Sequence, residues 1–301
     1  MNYMKYQQTS EQEAAATASV LVDSLPWVKE LNGAIVVIKF GGNAMVDPAL
    51  IESFGQDIAY LRYVGMQPVV VHGGGPQISS MLERLDIDSE FKGGYRVTTT
   101  QAIPVIRMVL TGEVNPKLVS SINAQGSLAM GMSGEDAGIF GAVKRGAIVD
   151  GEEIDLGHVG EVVTVDPSSV SDQLKAGRIP VISSIAPDLG NPGASLNVNA
   201  DTAAAALAGA LGAKKLLLLT DVAGLYAHWP DQDSLVSRIT SSELREMMPT
   251  LASGMIPKMD AALRAVEEGV ESAAVIDGRM PHSVLVELLT DKGVGTQVVE
   301  G

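Results

Sequence analysis

The stretch IVVIKFGGN at residues 35–43 decides the fold. Its first four residues are all β-branched, which is typical of a strand buried on both faces in a parallel sheet. A lysine at the end of such a strand is costly to bury unless it meets an anion, and glycines let the backbone approach a ligand closely. Ligands of open α/β sheets bind at the carboxyl ends of strands. Lys39 is therefore a candidate phosphate ligand, and a lysine that extends to solvent is the alternative.

A second strand at residues 68–71 leads into another glycine turn, HGGGP at 72–76. We expect Pro76 to open a helix, so the three glycines precede a helix N-terminus, where free N–H groups and the helix dipole favour an anion. The spacing matches neither the dinucleotide-binding fingerprint nor the P-loop. A plain tight turn is the alternative, and we interpret His72 as structural rather than as a base.

The rest of the chain continues this alternation of strands and helices. Further buried strands are predicted at 179–185, 216–219, 273–276 and 297–299, and helices at 47–65, 167–176, 199–211, 242–250 and 257–268. We expect helices interrupted near Gly112 and Pro116 within 103–124, a hairpin or loop at 91–99, and short strands over 127–165 with a turn at Asp150-Gly151. The pattern predicts an α/β fold, a three-layer sandwich with a central, mainly parallel open sheet.

The N-terminal segment lies outside this alternation. Ser10 and Glu13 fit a capping box, and an apolar stripe runs from Ala14 to Val28 at helical spacing. Pro26 should kink or break the helix. The stripe must be covered either by its own domain or by another subunit. We predict three units, at residues 1–31, 32–208 and 209–301.

Composition excludes several classes of function. The 301 residues carry 21 Lys and Arg against 36 Asp and Glu, a net charge of −15, which argues against nucleic acid or an anionic membrane as a partner. Without cysteine there is no thiolate nucleophile, disulfide or cysteine metal site. The first 30 residues contain no apolar run of membrane length and no signal peptide pattern, so we expect a cytoplasmic protein.

Four polar side chains outside the glycine turns are further candidates. Arg96, in an irregular stretch, could bind a carboxylate bidentately, or it could be an exposed loop arginine. Asn197 and Asp201 flank the start of a helix, where Asp201 could be either a cap or a carboxylate that orients lysines. Lys258 lies in the first turn of a helix, against the dipole, which favours a bound anion there. The two lysines, the two glycine turns and Asp201 outline a site for a polyphosphate and an anionic acceptor.

These motifs resemble those of the amino acid kinase family. The shared ones are IKFGG (38–42), VHGGGP (71–76), NAD (199–201) and GMIPK (254–258). Three further segments, GGYRVT (93–98), GEDA (134–137) and LNVNAD (196–201), are similar to those of family members that phosphorylate N-acetyl-L-glutamate. The resemblance implies ATP-dependent phosphorylation of the side-chain carboxylate of N-acetyl-L-glutamate in arginine biosynthesis, with Mg²⁺ bound mainly through the phosphates and no metal site on the protein.

The resemblance also implies a role for each matching residue. Lys39 and Lys258 would hold the transferring phosphoryl group, and Asp201 would position both lysines. Gly74, Gly75, Arg96 and Asn197 match the acceptor site. Gly42 and Gly74 match glycines whose N–H groups face the phosphoryl oxygens. The residues that match the nucleotide site are Gly42, Asp221, Val222, Ala223, Gly224, Leu225 and Tyr226.

The C-terminal segments HSVLVELLT (282–290) and GVGT (293–296) resemble those of arginine-sensitive, hexameric family members. This implies feedback inhibition by L-arginine, with His282, Glu287 and Gly295 at the effector site, in a homohexamer built as a trimer of dimers. The resemblance also implies the role of each unit: residues 1–31 are a kinked oligomerisation helix, 32–208 an acetylglutamate-binding and dimerisation lobe, and 209–301 an ATP-binding lobe with the arginine site at its C-terminus. The competing interpretations are another kinase of the family, acting on free glutamate or on carbamate, and a catalytically dead regulatory protein.

Overall fold

The computed structural model describes residues 10–149, 152–252 and 254–301, and its elements follow the predicted alternation. The strands are β1 (Ile35–Phe40), β2 (Gln67–His72), β3 (Phe91–Lys92), β4 (Tyr95–Arg96), β5 (Ala129–Ser133), β6 (Phe140–Val149), β7 (Glu152–Val165), β8 (Ile179–Ser183), β9 (Ile185–Pro187), β10 (Ser195–Val198), β11 (Lys215–Thr220), β12 (Arg238–Thr240), β13 (Ser272–Asp277) and β14 (Thr296–Val299).

The helices are α1 (Glu11–Asp23), α2 (Leu25–Leu31), α3 (Pro48–Tyr63), α4 (Gly75–Arg84), α5 (Ala102–Val109), α6 (Asn115–Asn123), α7 (Ser168–Lys175), α8 (Ala200–Ala210), α9 (Ser241–Met247), α10 (Ile256–Glu267) and α11 (Ser283–Leu289). A π-helical segment, Leu110–Val114, joins α5 to α6. Single 3₁₀ turns occupy Gly42–Met45, Asp136–Gly138, Gln232–Ser234 and Met248–Thr250.

One eight-stranded sheet organises the molecule, in the order β12-β14-β13-β11-β1-β2-β8-β5. Strand β1 lies near its centre, parallel to both β2 and β11. Within the described residues, β13–β14 is the one antiparallel pair of this eight-stranded sheet. A second sheet of four strands, β6-β7-β10-β9, and the β3–β4 hairpin complete the strands. The predicted central, mainly parallel sheet is confirmed.

Helices cover both faces of this sheet. Alternate residues of β1 enter different cores, since Val37 packs with α8 and α10 while Val36 and Ile38 pack with α3 and α6. All three are fully buried. The β-branched residues therefore fill the cores on both faces of the sheet, as expected for a buried parallel strand. This packing sets the position of Lys39 at the carboxyl end of β1.

Several predictions of detail need correction. The predicted interruption near Gly112 and Pro116 takes the form of the π-helical segment Leu110–Val114, and Pro116 then lies in the first turn of α6. The strands β6 and β7 are long, with 10 and 14 residues, rather than short. The helix break in the N-terminal segment falls at Ser24, with Pro26 in the first turn of α2. The predicted Asp150-Gly151 turn lies outside the described residues, as do residues 1–9 of the predicted first unit.

The capping box predicted for the N-terminal segment is confirmed. Ser10 and Glu13 form both hydrogen bonds of the capping box, and α1 has no buried residue. Within the described residues, no helix is both long and apolar enough to cross a membrane.

Candidate active site

A cavity of about 220 Å³ lies at the carboxyl ends of β1 and β2. Because the two strands are parallel and adjacent, their glycine turns emerge side by side at one edge of the sheet. The cavity brings together seven of the predicted site residues, which come from four separate segments of the chain. They are Lys39, Gly42, Gly74, Gly75, Arg96, Asn197 and Asp201.

Lys39 is 8% exposed, and its charge is balanced by Asp201. The Nζ atom lies 2.8 Å from Asp201 Oδ1, and it is 3.5 Å from the carbonyl oxygen of Leu219 at the end of β11. A buried lysine needs such a partner. The interpretation of Lys39 as a lysine that extends to solvent is therefore wrong.

Asp201 is free to pair with Lys39 because another residue caps α8. Asn199 is the N-cap, and its Oδ1 accepts hydrogen bonds from the N–H groups of Asp201 at 2.8 Å and Thr202 at 3.2 Å. Asp201 then sits in the first turn, where the helix dipole favours a negative charge. Of the two roles left open for Asp201, the structure supports the carboxylate that orients a lysine.

Two glycines after β1 make room at the cavity. A Cβ on Gly41 would lie 3.0 Å from the Lys39 Nζ atom, so a side chain there would compete with the lysine. Gly42 has a φ of 68°, in the left-handed region that favours glycine. It begins the 3₁₀ turn Gly42–Met45. The turn is held against α4, since Gln77 Nε2 donates to Met45 O at 2.9 Å.

Gly74 is the N-cap of α4 and is enclosed from behind by the π-helical segment. A Cβ at this position would come within 3.0 Å of Leu110 Cδ2 and 3.1 Å of Val114 Cγ2. The Gly74 N–H group donates no hydrogen bond within the described parts of the chain. An unpaired N–H group therefore stands at the start of a ten-residue helix, in the lining of the cavity that Lys39 also lines.

Arg96 ends the β3–β4 hairpin and is 7% exposed, so it is not an exposed loop arginine. Its Nη2 donates to Ser79 Oγ at 2.7 Å and to Gly75 O at 3.1 Å, while Nη1 donates to Ser89 Oγ. The guanidinium carbon also lies 4.6 Å from the centre of the Phe91 ring. Burial lowers the pKa of Arg96, but a guanidinium stays charged at neutral pH. A fixed, buried cation at a cavity wall is suited to a carboxylate ligand.

The sequence analysis did not single out Ser79 or Ser89. Ser79 could have been found, because it lies four residues after Gly75 in α4 and hence on the same face of the helix. Ser89 stands in an irregular segment without a recognisable pattern. Asn197, which also lines the cavity, has its Nδ2 atom 3.4 Å from Thr98 Oγ1, a contact that joins β10 to the segment after the hairpin.

Lys258 and the segment 221–226 do not line this cavity. Lys258 is in the first turn of α10, as predicted, but its Nζ donates to Gly254 O at 2.9 Å, one turn back along the chain. The helix α10 packs against α8, which carries Asp201. The segment 221–226 follows β11, the neighbour of β1, and therefore leaves the same edge of the sheet. Within it, Leu225 N–H donates to Thr296 Oγ1 at 2.7 Å.

The three residues predicted for an arginine site have structural partners of their own. Glu287 Oε2 accepts from Val294 N–H at 2.8 Å, and burial raises the pKa of its carboxyl group. A Cβ on Gly295 would lie 2.1 Å from Val275 O, so this glycine is required by the close approach of β13. The His282 ring is paired with Asp57 through Nδ1 at 2.5 Å. Its side chain is 49% exposed and remains accessible to a ligand.

Comparison with known proteins agrees with this geometry. Residues 34–277 match the model of the amino acid kinase family. The acetylglutamate kinase of Leifsonia xyli subsp. xyli is 61% identical over 292 residues, which cover 97% of each chain. The acetylglutamate kinase of Clavibacter sepedonicus is 62% identical over 287 residues, covering 95% of each chain.

A solved structure shares the fold. The N-acetylglutamate synthase of Neisseria gonorrhoeae, complexed with coenzyme A and N-acetyl-glutamate, superimposes with a TM-score of 0.82 at 22% identity. The match covers 94% of this chain and 63% of that longer one. The family match extends over most of the chain, from just before β1 to the end of β13, and includes the cavity residues. This chain belongs to the amino acid kinase family.

Proposed function

We propose that this enzyme transfers the γ-phosphoryl group of ATP to the side-chain carboxylate of N-acetyl-L-glutamate, a step of arginine biosynthesis. The observation that carries the proposal is the buried Lys39–Asp201 pair, which borders the same cavity as two glycine turns and Arg96. Relatives named acetylglutamate kinase, at about 60% identity over nearly the whole chain, support the choice of acceptor.

Arg96 would bind the acceptor through a carboxylate that does not react. Its position is fixed by Ser79, Ser89 and Gly75, so little side-chain entropy is lost on binding. The rest of the acceptor would bind to Gly75 and Asn197, which also line the cavity. The reacting carboxylate would then lie near Lys39.

Lys39 and the N–H groups of Gly42 and Gly74 would stabilise the negative charge that spreads over the transferring phosphoryl group. Lys258 would join them from α10 and would exchange its hydrogen bond to Gly254 O for a phosphoryl oxygen. The segment from Asp221 to Tyr226 would hold the nucleotide. Mg²⁺ would be bound mainly through the phosphate oxygens, and its chemistry is to neutralise their charge.

This reaction requires no general base. The acceptor carboxylate has an ordinary pKa of about 4.3, so it is already a nucleophile at neutral pH. The difficulty is the repulsion between two anions, which must be held in line. A site that consists of lysines and glycine N–H groups answers that requirement.

A coupled ADP-release assay tests the proposal. We expect ADP to form with N-acetyl-L-glutamate and far more slowly with L-glutamate or carbamate, the acceptors of other kinases of the family. ADP release that does not depend on the acetylated acceptor would overturn the choice of substrate. A protein that binds nucleotide but transfers no phosphoryl group would be the regulatory protein considered above.

We further propose that the enzyme is a cytoplasmic homohexamer, a trimer of dimers, that L-arginine inhibits. Support comes from α1, which has no buried residue and exposes Val20, Leu21 and Val22 by more than 60%. A second copy of this chain could bury these side chains symmetrically. His282 and Glu287 would bind the effector near Gly295. The oligomerisation helix would end at residue 31, and the boundary between the two lobes would follow residue 208.

Deletion of residues 1–25 tests this part separately. The truncated enzyme should sediment as a dimer and keep its turnover, while arginine inhibits it weakly. A hexamer with unchanged arginine sensitivity would remove α1 from the mechanism. A full-length enzyme that arginine does not inhibit would end the regulatory proposal without affecting the proposed reaction.

A further inference from the structure

His72 lies at the junction between β2 and the glycine turn, and it is completely buried. Its backbone is fixed by the sheet, where it pairs with Phe40 of β1 and Ser183 of β8. Its carbonyl oxygen accepts from Ser184 N–H at 3.0 Å. The ring does not line the cavity, yet it is the last side chain before the three glycines that do.

Asn115, the first residue of α6, determines how the His72 ring is protonated. Its Nδ2 lies 2.8 Å from Val181 O and 3.3 Å from Met132 O. Two carbonyl oxygens at one end of the amide identify that end as the NH₂ group. The same Nδ2 lies 3.0 Å from His72 Nε2. The two hydrogens of the NH₂ group serve the two shorter contacts, to Val181 O and to Nε2, so Nε2 accepts and carries no proton.

The proton of the neutral ring is therefore on Nδ1. This atom lies 2.9 Å from Gly73 O, the carbonyl oxygen of the next residue, so Nδ1–H donates to it. Burial lowers the pKa of His72 to about 4, so the ring is neutral at physiological pH. The carbonyl groups of Val181 and Met132 thus orient the Asn115 amide, and this amide selects the tautomer of the His72 ring. The Nδ1–H group of that tautomer then holds the Gly73 carbonyl group in place.

The Gly73 carbonyl and the Gly74 N–H belong to one peptide unit. In a planar trans peptide these two groups point in opposite directions. A carbonyl held toward the buried ring therefore holds the Gly74 N–H away from it. Gly74 borders the cavity, and its N–H has no partner among the described residues.

We propose that His72 is a positioning residue, which acts through the Gly73–Gly74 peptide to aim the Gly74 N–H group at the transferring phosphoryl group, and that Asn115 selects the tautomer this requires. The inference deepens the proposed function and rests on it. Without the hydrogen bond from Nδ1, a peptide flanked by glycines can rotate, and the donor would no longer be preorganised.

Two substitutions of His72 separate positioning from packing. Asparagine places its amide NH₂ where Nδ1 stands, so His72→Asn keeps the donor to Gly73 O. Glutamine places its amide near the Nε2 position, so His72→Gln keeps a partner for Asn115 and fills the site better, but it loses that donor. A role in packing alone predicts that glutamine is the milder change, and the positioning role predicts the reverse.

The kinetic test measures kcat and both KM values for the two variants, with thermal unfolding to establish that each is folded. We expect His72→Asn to retain kcat within about threefold. His72→Gln should lose at least about tenfold in kcat, part of the roughly 10²–10³ that complete removal of such a donor costs, with little change in either KM. Equal kcat in the two variants, or a lower kcat for asparagine, would overturn the inference.

A spectroscopic test needs no turnover and so distinguishes this inference from the proposed reaction. Histidine labelled with ¹⁵N gives signals from four residues, and the His72 signal is the one that disappears in either variant. We expect a protonated Nδ1 and an unprotonated Nε2 between pH 6 and 8, and loss of that pure tautomer in Asn115→Ala. A wild-type protein with the proton on Nε2 would overturn the inference even if the enzyme phosphorylates N-acetyl-L-glutamate. The expected tautomer in a protein without that activity would overturn only the proposed function.

Discussion

The end of β1 and the first turn of α10 each present a lysine, and the two are held in different ways. Lys39 is fixed by the register of a central strand and by its pair with Asp201 at 2.8 Å. Lys258 is partly exposed, and its ammonium group donates to Gly254 O in the segment just before α10. The fold therefore gives Lys39 a carboxylate partner, whereas Lys258 has none among the described residues.

This difference predicts that the two lysines contribute differently to stability and to turnover. A buried lysine paired with a carboxylate contributes to both stability and turnover, so its removal should change both quantities. A partly exposed lysine that is bonded only to a nearby backbone carbonyl contributes little to stability, so its removal should change turnover alone. Each prediction below compares these two quantities.

The largest effect is expected for Lys39→Met. The loss of one preorganised cation should lower kcat by about 10²–10³ or more. It should also lower the melting temperature, because Asp201 stays buried without its partner. The matched control is Lys214→Met, which removes a surface lysine paired with Glu30 and Glu271 and should leave kcat unchanged. Normal turnover of the Lys39 variant would reject its role.

Lys258→Met should lower kcat by about 10²-fold, again as the loss of one cation at the transition state. In contrast to the Lys39 variant, its melting temperature should stay within a degree or two of the wild-type value. If the variant is as unstable as Lys39→Met, Lys258 has a buried partner and the comparison above fails. Unchanged turnover would remove Lys258 from the reaction.

Asp201→Asn should lower both stability and turnover. Removing one partner of a buried pair typically costs about 3–5 kcal/mol of unfolding free energy, and we expect kcat to fall about tenfold because Lys39 is no longer aimed. The double variant with Lys39→Met should be no less stable than Asp201→Asn alone, since a neutral pair leaves no uncompensated charge. Strictly additive losses in stability would show that the two side chains do not act as a pair.

Arg96→Lys should raise KM for N-acetyl-L-glutamate about tenfold, a free-energy change of about 1.4 kcal/mol, with KM for ATP changed much less. Lysine keeps the charge but loses the planar fork that Ser79 and Gly75 hold in place. Arg84→Lys, at an exposed position on the same helix as Ser79, is the control. A larger change in KM for ATP would reassign Arg96 to the nucleotide.

The smallest effect on turnover is expected for Asp57→Asn, at a buried site away from both lysines. Burial raises the pKa of Asp57 from 3.8 to about 6, against the opposing influence of His282. The wild-type protein therefore loses stability from this group as the pH rises from about 4 to about 6. The unfolding free energy of the variant should therefore increase relative to that of the wild type over that range, which means that the variant gains in relative stability. A difference in unfolding free energy that does not vary with pH would contradict the raised pKa of Asp57. The kcat measured without arginine should not change.

The sequence predicted the parts of the site that follow from strand order. Lys39 and the two glycine turns could be placed together because adjacent parallel strands end at one edge of a sheet. The pairing of Lys39 with Asp201 could not be predicted from the residues alone, because it depends on Asn199 taking the capping position at α8. The hydrogen bonds of Arg96 to the two serines depend on how a hairpin folds over α4, which no local pattern specifies.

The C-terminal segment shows the opposite limit. Its resemblance pointed to Glu287 and Gly295 as effector ligands, while the structure also gives each a local reason for its identity. Motif matching identifies which residues a family shares, but it does not separate residues that bind a ligand from those that close a loop. The His72–Asn115 contact was likewise invisible in the sequence, since it depends on packing between elements distant in the chain.

The most direct test of the central claim is to trap the product of the reaction. Phosphorylation of a carboxylate gives an acyl phosphate, which hydroxylamine converts to a stable hydroxamate. With wild-type enzyme we predict hydroxamate formation that requires both ATP and N-acetyl-L-glutamate, and that falls at least about 10²-fold in Lys39→Met but not in Lys214→Met. Hydroxamate formed equally well by the Lys39 variant, or ADP released by the wild-type enzyme without any hydroxamate, would contradict the claim that this cavity transfers a phosphoryl group to a carboxylate.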